Sequence, residues 1–177
     1  MKAVSLETSR SDVRLIEPDI ERDALLGVLW LEGESGRSTL ALMGVADKDN
    51  KPTTLQQEKC RVRGFIENDN QLNWMISYEN EVVGSIWVDL ESTKHLQSPS
   101  LHIMIGSPEA RGKGVGMAAV TAVVKHLQAQ GYPQVYSRYL TSNKGSRGLL
   151  SKLGFREFDS PYEDEDNLVF QNVMKVF

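Results

Sequence analysis

The sequence predicts a mixed α/β fold: an antiparallel meander, then the order strand–helix–strand–helix–strand–strand, with helices on both faces of the sheet. Strand-like runs with short connections fill the middle of the chain, and beyond them helical and strand-like patterns alternate. The chain has 177 residues, a length that fits one domain over residues 1–177.

The first third of the chain predicts a short strand and then helical segments. The strand is Val13–Ile16, and a helical pattern opens at Pro18 and Asp19 with leucines at helical spacing. A polar break at Glu32–Arg37 separates this helix from a second apolar piece. The remaining expected segments are the apolar piece Leu40–Val45, the loop Asp47–Pro52 and a helix from Thr54 to about Ile66.

The meander is predicted from three runs in the middle of the chain. Leu72–Tyr78 and Val82–Leu90 have strand composition, and Glu79–Glu81 between them is a hairpin signal. A third strand, Leu101–Ile105, follows a looser segment. Consecutive strands with short connections favour antiparallel pairing.

The last third returns to helical spacing. Val120, Val123, Val124 and Leu127 form an i, i+3, i+4, i+7 stripe, and Gly131 stands where a left-handed C-terminal cap belongs. The later expected elements are the strand Val135–Leu140, a helix from Lys144 to Leu153, and the strands Phe155–Phe158 and Leu168–Val176.

Composition and charge exclude several classes of function. The net charge of −4 argues against a general nucleic-acid binder, which needs a basic face. The uncharged apolar stretch Gly114–Val124 is too short to cross a membrane. A single cysteine, Cys60, rules out an internal disulfide, and we expect this residue to be packed or half-buried. We therefore expect a cytoplasmic protein without nucleic-acid, membrane or metal partners.

A glycine-rich segment ending in Arg111-Gly112-Lys113-Gly114-Val115-Gly116 joins a strand to an amphipathic helix. Helix N-termini expose unpaired N–H groups with partial positive charge, and glycines let a phosphate approach them closely. Such turns also occur without a ligand. The spacing does not fit a Walker loop. Gly114–Ala119 fits a dinucleotide fingerprint, but it follows a meander and lacks the acidic residue expected about 20 positions on.

Two motifs together resemble the GCN5-related N-acetyltransferase (GNAT) superfamily. Arg111-x-x-Gly114-x-Gly116 is similar to its pyrophosphate loop, and Asn143 to Phe155 is similar to its second coenzyme A segment, in which an Asn opens a short helix ending in Lys-x-Gly-Phe. The resemblance covers roughly residues 72–177. Within the superfamily it is closest to the ribosomal-protein N-terminal acetyltransferases and their relatives.

The resemblance implies acetyl-CoA as the co-substrate and a set of residues that hold it. Backbone amides of the loop would grip the pyrophosphate, the strand would pair with the pantetheine arm while one of its amides polarises the thioester, and Asn143 would bond the pantetheine or thiol end. Asn143 can equally serve as the N-cap of the following helix. The implied cofactor-binding residues are Ile103, Met104, Ile105, Arg111, Gly112, Lys113, Gly114, Val115, Gly116, Asn143 and Ser146.

Three residues are candidates for catalysis. Many members carry a Tyr as general acid where this chain has Leu150, and in the related branch a Ser at the position of Ser146 is the proposed proton donor. An amine acceptor also needs a base, because an ammonium has no lone pair. We expect either His102, on the cofactor strand, or a carboxylate of the acidic loop, with Glu165 favoured. The acidic run could attract a cationic acceptor or be a solvated loop.

The sequence thus predicts an N-acetyltransferase that moves an acetyl group directly from acetyl-CoA to a primary amine. The acceptor could be a protein N-terminus or a small molecule, and the sequence leaves open whether the domain forms a homodimer. The alternative is a non-catalytic acyl-CoA sensor or interaction module of the same fold, because the acid at Leu150 is missing and the base is uncertain.

Overall fold

The computed structural model describes residues 4–177 and contains one nine-stranded sheet. The strands run in the spatial order β1-β2-β3-β4-β5-β6-β9-β7, and β8 pairs with β9. They are β1 Leu6–Glu7, β2 Val13–Ile16, β3 Gln71–Tyr78, β4 Glu81–Asp89, β5 Ser100–Ile105, β6 Gln134–Leu140, β7 Arg156–Glu157, β8 Tyr162–Glu163 and β9 Val169–Val176. The predicted meander is confirmed, since β3, β4 and β5 pair antiparallel in sequence order.

Five α-helices flank the sheet, and a 3-10 turn at Pro108–Ala110 leads from β5 towards the fourth of them. Their bounds are α1 Ile20–Trp30, α2 Gly33–Leu42, α3 Leu55–Glu67, α4 Val115–Ala129 and α5 Lys144–Lys152. Side chains cap three of the N-termini: Asp19 caps α1, Thr54 forms a capping box with Gln57 at α3, and Asn143 caps α5. The first turns of α2 and α4 have no side-chain cap.

Two apolar clusters cover the two faces of the sheet, as predicted. The larger one joins α4 and α5 to strand residues such as Leu101 and Ile76, while the smaller one joins α1 and α2 to Met75 and Met104. Neighbouring residues of one strand point to opposite faces, which is why Met75 and Ile76 belong to different clusters. Trp74 is only 1% exposed and belongs to the larger cluster.

The structure corrects the prediction for residues 32–45. The expected polar break at Glu32–Arg37 is the first part of α2, which ends at Leu42, inside the expected apolar piece. The helix forms because its polar residues face solvent while Gly36 and Thr39 are buried against the domain. The two-residue strands β1 and β8 were not predicted, since two residues carry too little periodicity to detect.

The parallel strands β5 and β6 pair only at their beginnings. Their one paired position is Ser100 with Tyr136, where the Tyr136 N–H donates to the Pro99 carbonyl over 2.8 Å. Further along, the Ser137 hydroxyl reaches the Leu101 carbonyl over 2.7 Å. Beyond this point the strands separate. The sheet therefore opens in its middle, on the side where β5 runs into the glycine-rich loop.

Candidate active site

A pocket of about 920 Å³ occupies the opening between β5 and β6. This volume lies within the range of roughly 300–1,000 Å³ that is typical of small-molecule sites. The glycine-rich loop, α5 and α2 line the pocket and are joined to one another by the Arg111–Thr39 and Asn143–Leu42 hydrogen bonds, and residues of β4 and β9 complete the lining. The pocket therefore connects the two motifs found in the sequence with residues that the sequence left unassigned.

The N-terminus of α4 opens into this pocket without a cap. Its N-cap is Gly114, which has φ +77° and no side chain to bond the first turn, and the first intrahelical bond runs from Ala118 to the Gly114 carbonyl. The N–H groups of Val115, Gly116 and Met117 precede that bond, and all three residues line the pocket. The first turn carries no acidic residue. A fifteen-residue helix thus presents free donors and its positive end to the pocket.

The two cationic side chains of the glycine-rich loop point in different directions. Arg111 lines the pocket and donates from Nε to the Ile105 carbonyl over 3.0 Å and from Nη2 to Thr39 Oγ1 over 3.0 Å. The side chain of Lys113 points elsewhere, with Nζ 5.7 Å from the centre of the Tyr78 ring. Gly112 has φ +73° and open space where a side chain would stand. The loop therefore offers one cation and backbone donors, while the ammonium of Lys113 lies away from the lining.

The free edge of β5 identifies which backbone groups face the pocket. The Leu101 and Ile105 carbonyls bond side chains on the side away from β4. Alternate residues of a strand direct their backbone groups to the same edge. The N–H and carbonyl of Ile103 consequently point into the opening, whereas those of Met104 point towards β4. Of the three predicted strand residues, Ile103 has the geometry of a donor to a ligand.

Asn143 holds the start of α5 in place. Its Oδ1 accepts from the Ser146 N–H over 3.0 Å, and its Nδ2 donates to the Leu42 carbonyl over 3.0 Å. The N-cap interpretation is therefore confirmed, and the same side chain ties α5 to the end of α2. Asn143 and Ser146 both line the pocket, as does Leu150 at the position of the missing tyrosine.

A polar cluster in the lining of the pocket contains His102. Its Nε2 lies 3.1 Å from Asp89 Oδ2, and its ring stacks on Trp87 with centroids 5.3 Å apart. Gln71 donates to the second oxygen of Asp89 over 2.5 Å. Burial alone would raise the pKa of Asp89, but the hydrogen bonds from His102 and Gln71 outweigh it and hold that pKa below its usual value. His102 is thus oriented by a carboxylate that stays charged.

Tyr139 lines the pocket from β6 and is 5% exposed. Its hydroxyl donates to Glu157 Oε1 over 2.5 Å, and Glu157 in turn lies 3.2 Å from Arg147 Nη2. Burial, with the Glu157 hydrogen bond, raises the pKa of Tyr139 to about 12. The phenol is therefore protonated and already engaged, which favours a structural role.

The acidic loop does not bring its carboxylates to the pocket. Glu165 is 85% exposed and lies 3.8 Å from Lys94 Nζ, while Asp166 pairs with Lys48 of the α2–α3 loop. Neither Glu163 nor Glu165 lines the cavity. Of the three predicted catalytic residues, the structure brings His102 and Ser146 to one pocket and places Glu165 outside it.

Several lining residues escaped the sequence analysis. They are Thr39 and Leu42 of α2, its C-cap residue Met43, Asp89 of β4, Arg138 of β6, Lys144 and Lys152 of α5, and Phe170 of β9. The alternation of β4 places Asp89 on the same face as Trp87, which was a usable signal. The contact with His102 depends on the β4–β5 register, and the long connection Leu90–Pro99 does not specify that register.

Comparison with known proteins reveals the same fold. A structure described as the RimL ribosomal L7/L12 α-N-protein acetyltransferase in complex with coenzyme A matches with a TM-score of 0.78 and 13% identity, covering 97% of each chain. The microcin C7 self-immunity acetyltransferase MccE, in complex with acetyl-CoA and AMP, matches with a TM-score of 0.76 and 14% identity, covering 95% of this chain and 94% of that one.

Sequence comparison also finds acetyltransferases among the similar proteins. A mycothiol acetyltransferase of Paenarthrobacter aurescens is 31% identical over 87 residues, which are 48% of this chain and 27% of that protein. The chain spans between a fifth and three tenths of the length of the curated relatives it matches. No helix among residues 4–177 is long and apolar enough to span a bilayer.

The family model for the acetyltransferase (GNAT) domain matches residues 30–156, which is most of the chain. An open sheet with a glycine-capped helix at the opening, together with this match, defines an acetyltransferase-type domain. The protein belongs to the GNAT family. The predicted family is confirmed, and a structure of the ribosomal-protein N-terminal acetyltransferase branch is among those with a similar fold.

Proposed function

We propose that the protein is an acetyl-CoA-dependent N-acetyltransferase that transfers the acetyl group directly to a primary amine. The observation that best supports the proposal is the N-terminus of α4, which has no side-chain cap. Three free N–H groups at the positive end of a helix form an anion site, and the glycine N-cap leaves room for a diphosphate. Arg111 beside this helix end, and Lys144 and Lys152 on α5, add positive charge to the same end of the pocket.

The co-substrate supplies an acetyl group activated as a thioester. From the loop, its arm would follow the free edge of β5, where the Ile103 N–H is directed into the opening. A backbone donor at this place stabilises the negative charge that develops on the carbonyl oxygen during attack. The thioester would then lie between the α5 N-terminus and the polar cluster of β4 and β5.

His102 is the base that the geometry favours. A histidine that donates from Nε2 to Asp89 keeps a lone pair on Nδ1, and such a nitrogen can take the proton that an ammonium must lose. The amine nitrogen then attacks the carbonyl carbon, and the carbon–sulfur bond breaks as the nitrogen loses its second proton and the amide forms. That proton passes to the departing thiolate, so any hydroxyl that donates to the sulfur is reprotonated by the nitrogen. Ser146 lies at the α5 end of the pocket as the candidate donor to the departing thiolate, which is a tolerable leaving group with a thiol pKa near 8.5.

Incubation with labelled acetyl-CoA and a panel of peptides and small amines tests the proposal. We expect an acetylated amine and one equivalent of free coenzyme A, with kcat/KM about 10²- to 10⁴-fold lower in His102→Gln. Glu165→Gln serves as the matched control and should retain activity, since Glu165 lies outside the pocket. Tight coenzyme A binding without any product would contradict catalysis and favour the sensor.

A further inference from the structure

Arg138 faces His102 across the opening of the sheet. Ser100 and Tyr136 are the paired residues of β5 and β6, so the side chains two positions further on, His102 and Arg138, lie on the same face at the same level. Both residues line the pocket. The two strands separate there, which leaves space between a histidine on one wall and a guanidinium on the other.

The guanidinium of Arg138 is held in place without a carboxylate partner. Its Nη1 donates to the Tyr162 hydroxyl over 2.8 Å, and its Cζ stands 4.3 Å from the centre of the Phe170 ring. Within residues 4–177, none of the ion pairs includes Arg138, although Arg10, Arg22, Arg61 and Arg147 each pair with an acid. A guanidinium has five N–H donors, so most of the donors of Arg138 remain available to a ligand.

Arg138 makes no direct ion pair with the charges around the pocket in the part of the chain that the structure describes. Among the described residues, Asp89 is the one carboxylate that lines the pocket; Arg138 lowers its pKa through space, but His102 and Gln71 are the groups that hydrogen-bond to it. The other acids near β6 are committed elsewhere, Glu157 to Tyr139 and Arg147, and Asp166 to Lys48. A half-buried arginine with free donors at a pocket wall is the arrangement that binds a carboxylate bidentately.

We propose that the acceptor is a small amine that also carries a carboxylate, as an amino acid does, and that Arg138 binds this carboxylate. The inference rests on the proposed function and deepens it by naming the class of acceptor. With the carboxylate on the β6 wall, the amine is directed towards His102 on the β5 wall. A polyamine would instead bring a second cation against Arg138, which disfavours it. A peptide N-terminus would offer Arg138 a neutral carbonyl in place of the carboxylate.

Matched acceptors test the inference. Each amino acid is compared with its carboxamide and its decarboxylated amine, so that the nucleophile is kept and the anion is removed. We expect kcat/KM of the full-length protein to be about 10- to 100-fold higher for the acid, as for one hydrogen-bonded charge pair. Equal use of the three forms would overturn the inference and leave the proposed function standing.

Variants of Arg138 separate binding from folding. Arg138→Met should remove the preference, because kcat/KM falls more for the acid than for the carboxamide, chiefly through a higher KM for the acid. Arg138→Lys should keep part of the preference, and Arg63→Met, an exposed arginine of α3, should keep all of it. A loss of rate on all acceptors alike in Arg138→Met would contradict the inference. If no amine is acetylated, the proposed function fails. The inference about Arg138 is then tested separately by equilibrium dialysis with labelled amino acids, which should bind to the parent protein and not to Arg138→Met.

Discussion

The Nε2 atom of His102 lies 3.1 Å from the Oδ2 atom of Asp89, on neighbouring strands and within one wall of the pocket. Trp87 packs flat against the imidazole, and Gln71 holds the carboxylate from the other side. The ring is therefore held in one orientation before any ligand arrives. This arrangement is what turns a strand histidine into a candidate base.

The Asp89–His102 contact should make stability depend on acid pH. The folded protein holds the pKa of Asp89 below its unfolded value, so the stabilisation is present above about pH 4 and is lost as pH falls through the folded-state value. Asp89→Asn should be less stable than the parent at pH 7, and the difference should shrink below pH 4. Urea unfolding at several pH values measures it. Asp47→Asn, in the exposed α2–α3 loop, should show no such trend.

The N-cap of α5 is testable through two substitutions of Asn143. Asn143→Ala removes the acceptor for the Ser146 N–H and should lower the free energy of unfolding by about 1 kcal/mol. Asn143→Asp keeps that acceptor and loses the donor to Leu42, so we expect a smaller loss. Denaturant unfolding compares the three proteins. Equal stability of the alanine and parent proteins would show that the cap is not formed.

Gly106, which directly follows β5, packs closely against Trp30 of α1. A Cβ on this residue would stand 2.2 Å from Cδ2 of Trp30, a rigid ring that cannot give way. We expect Gly106→Ala to lose about 1–3 kcal/mol of stability through overpacking.

Gly64 of α3 is the matched control for Gly106, since nothing lies within 4 Å of the Cβ that it would gain. Gly64→Ala should gain up to about 1 kcal/mol, because alanine is the better helix former. Thermal unfolding measures the stability of both variants. An unchanged stability of Gly106→Ala would contradict the close packing of Gly106 against Trp30.

The phenol of Tyr139 should titrate far into the alkaline range. Its folded-state pKa is about 12, above the usual value near 10, so the stabilisation it gives is complete below pH 10 and is lost as pH rises through 12. Phenolate absorbance of the parent minus that of Tyr139→Phe isolates this group among five tyrosines. A midpoint of the difference near 10 would show that the buried contact with Glu157 is absent.

The sequence was informative where hydrophobic periodicity or the position of a glycine determines the local backbone conformation. The meander and the stripe of α4 follow from local patterns, and the two segments that resemble coenzyme A motifs both contribute residues to one pocket. Residues whose roles depend on distant partners could not be found in this way. Arg138 and His102 face each other because β5 and β6 diverge, and no local pattern encodes that divergence. Glu165 was favoured from its loop, yet its side chain faces Lys94 and solvent.

Coenzyme A affinity of Gly116→Val tests the central claim most directly. A Cβ at Gly116 would lie 3.4 Å from Leu149 and 3.6 Å from Ile103, so it fits, while the valine methyl groups would extend over the free N–H groups of α4. We predict a fall in affinity of at least about 10-fold in a folded protein, from the loss of charge-assisted hydrogen bonds. Gly64→Val, on a helix away from the pocket, should bind as the parent does. Unchanged affinity in a folded Gly116→Val protein would contradict a diphosphate site at the start of α4.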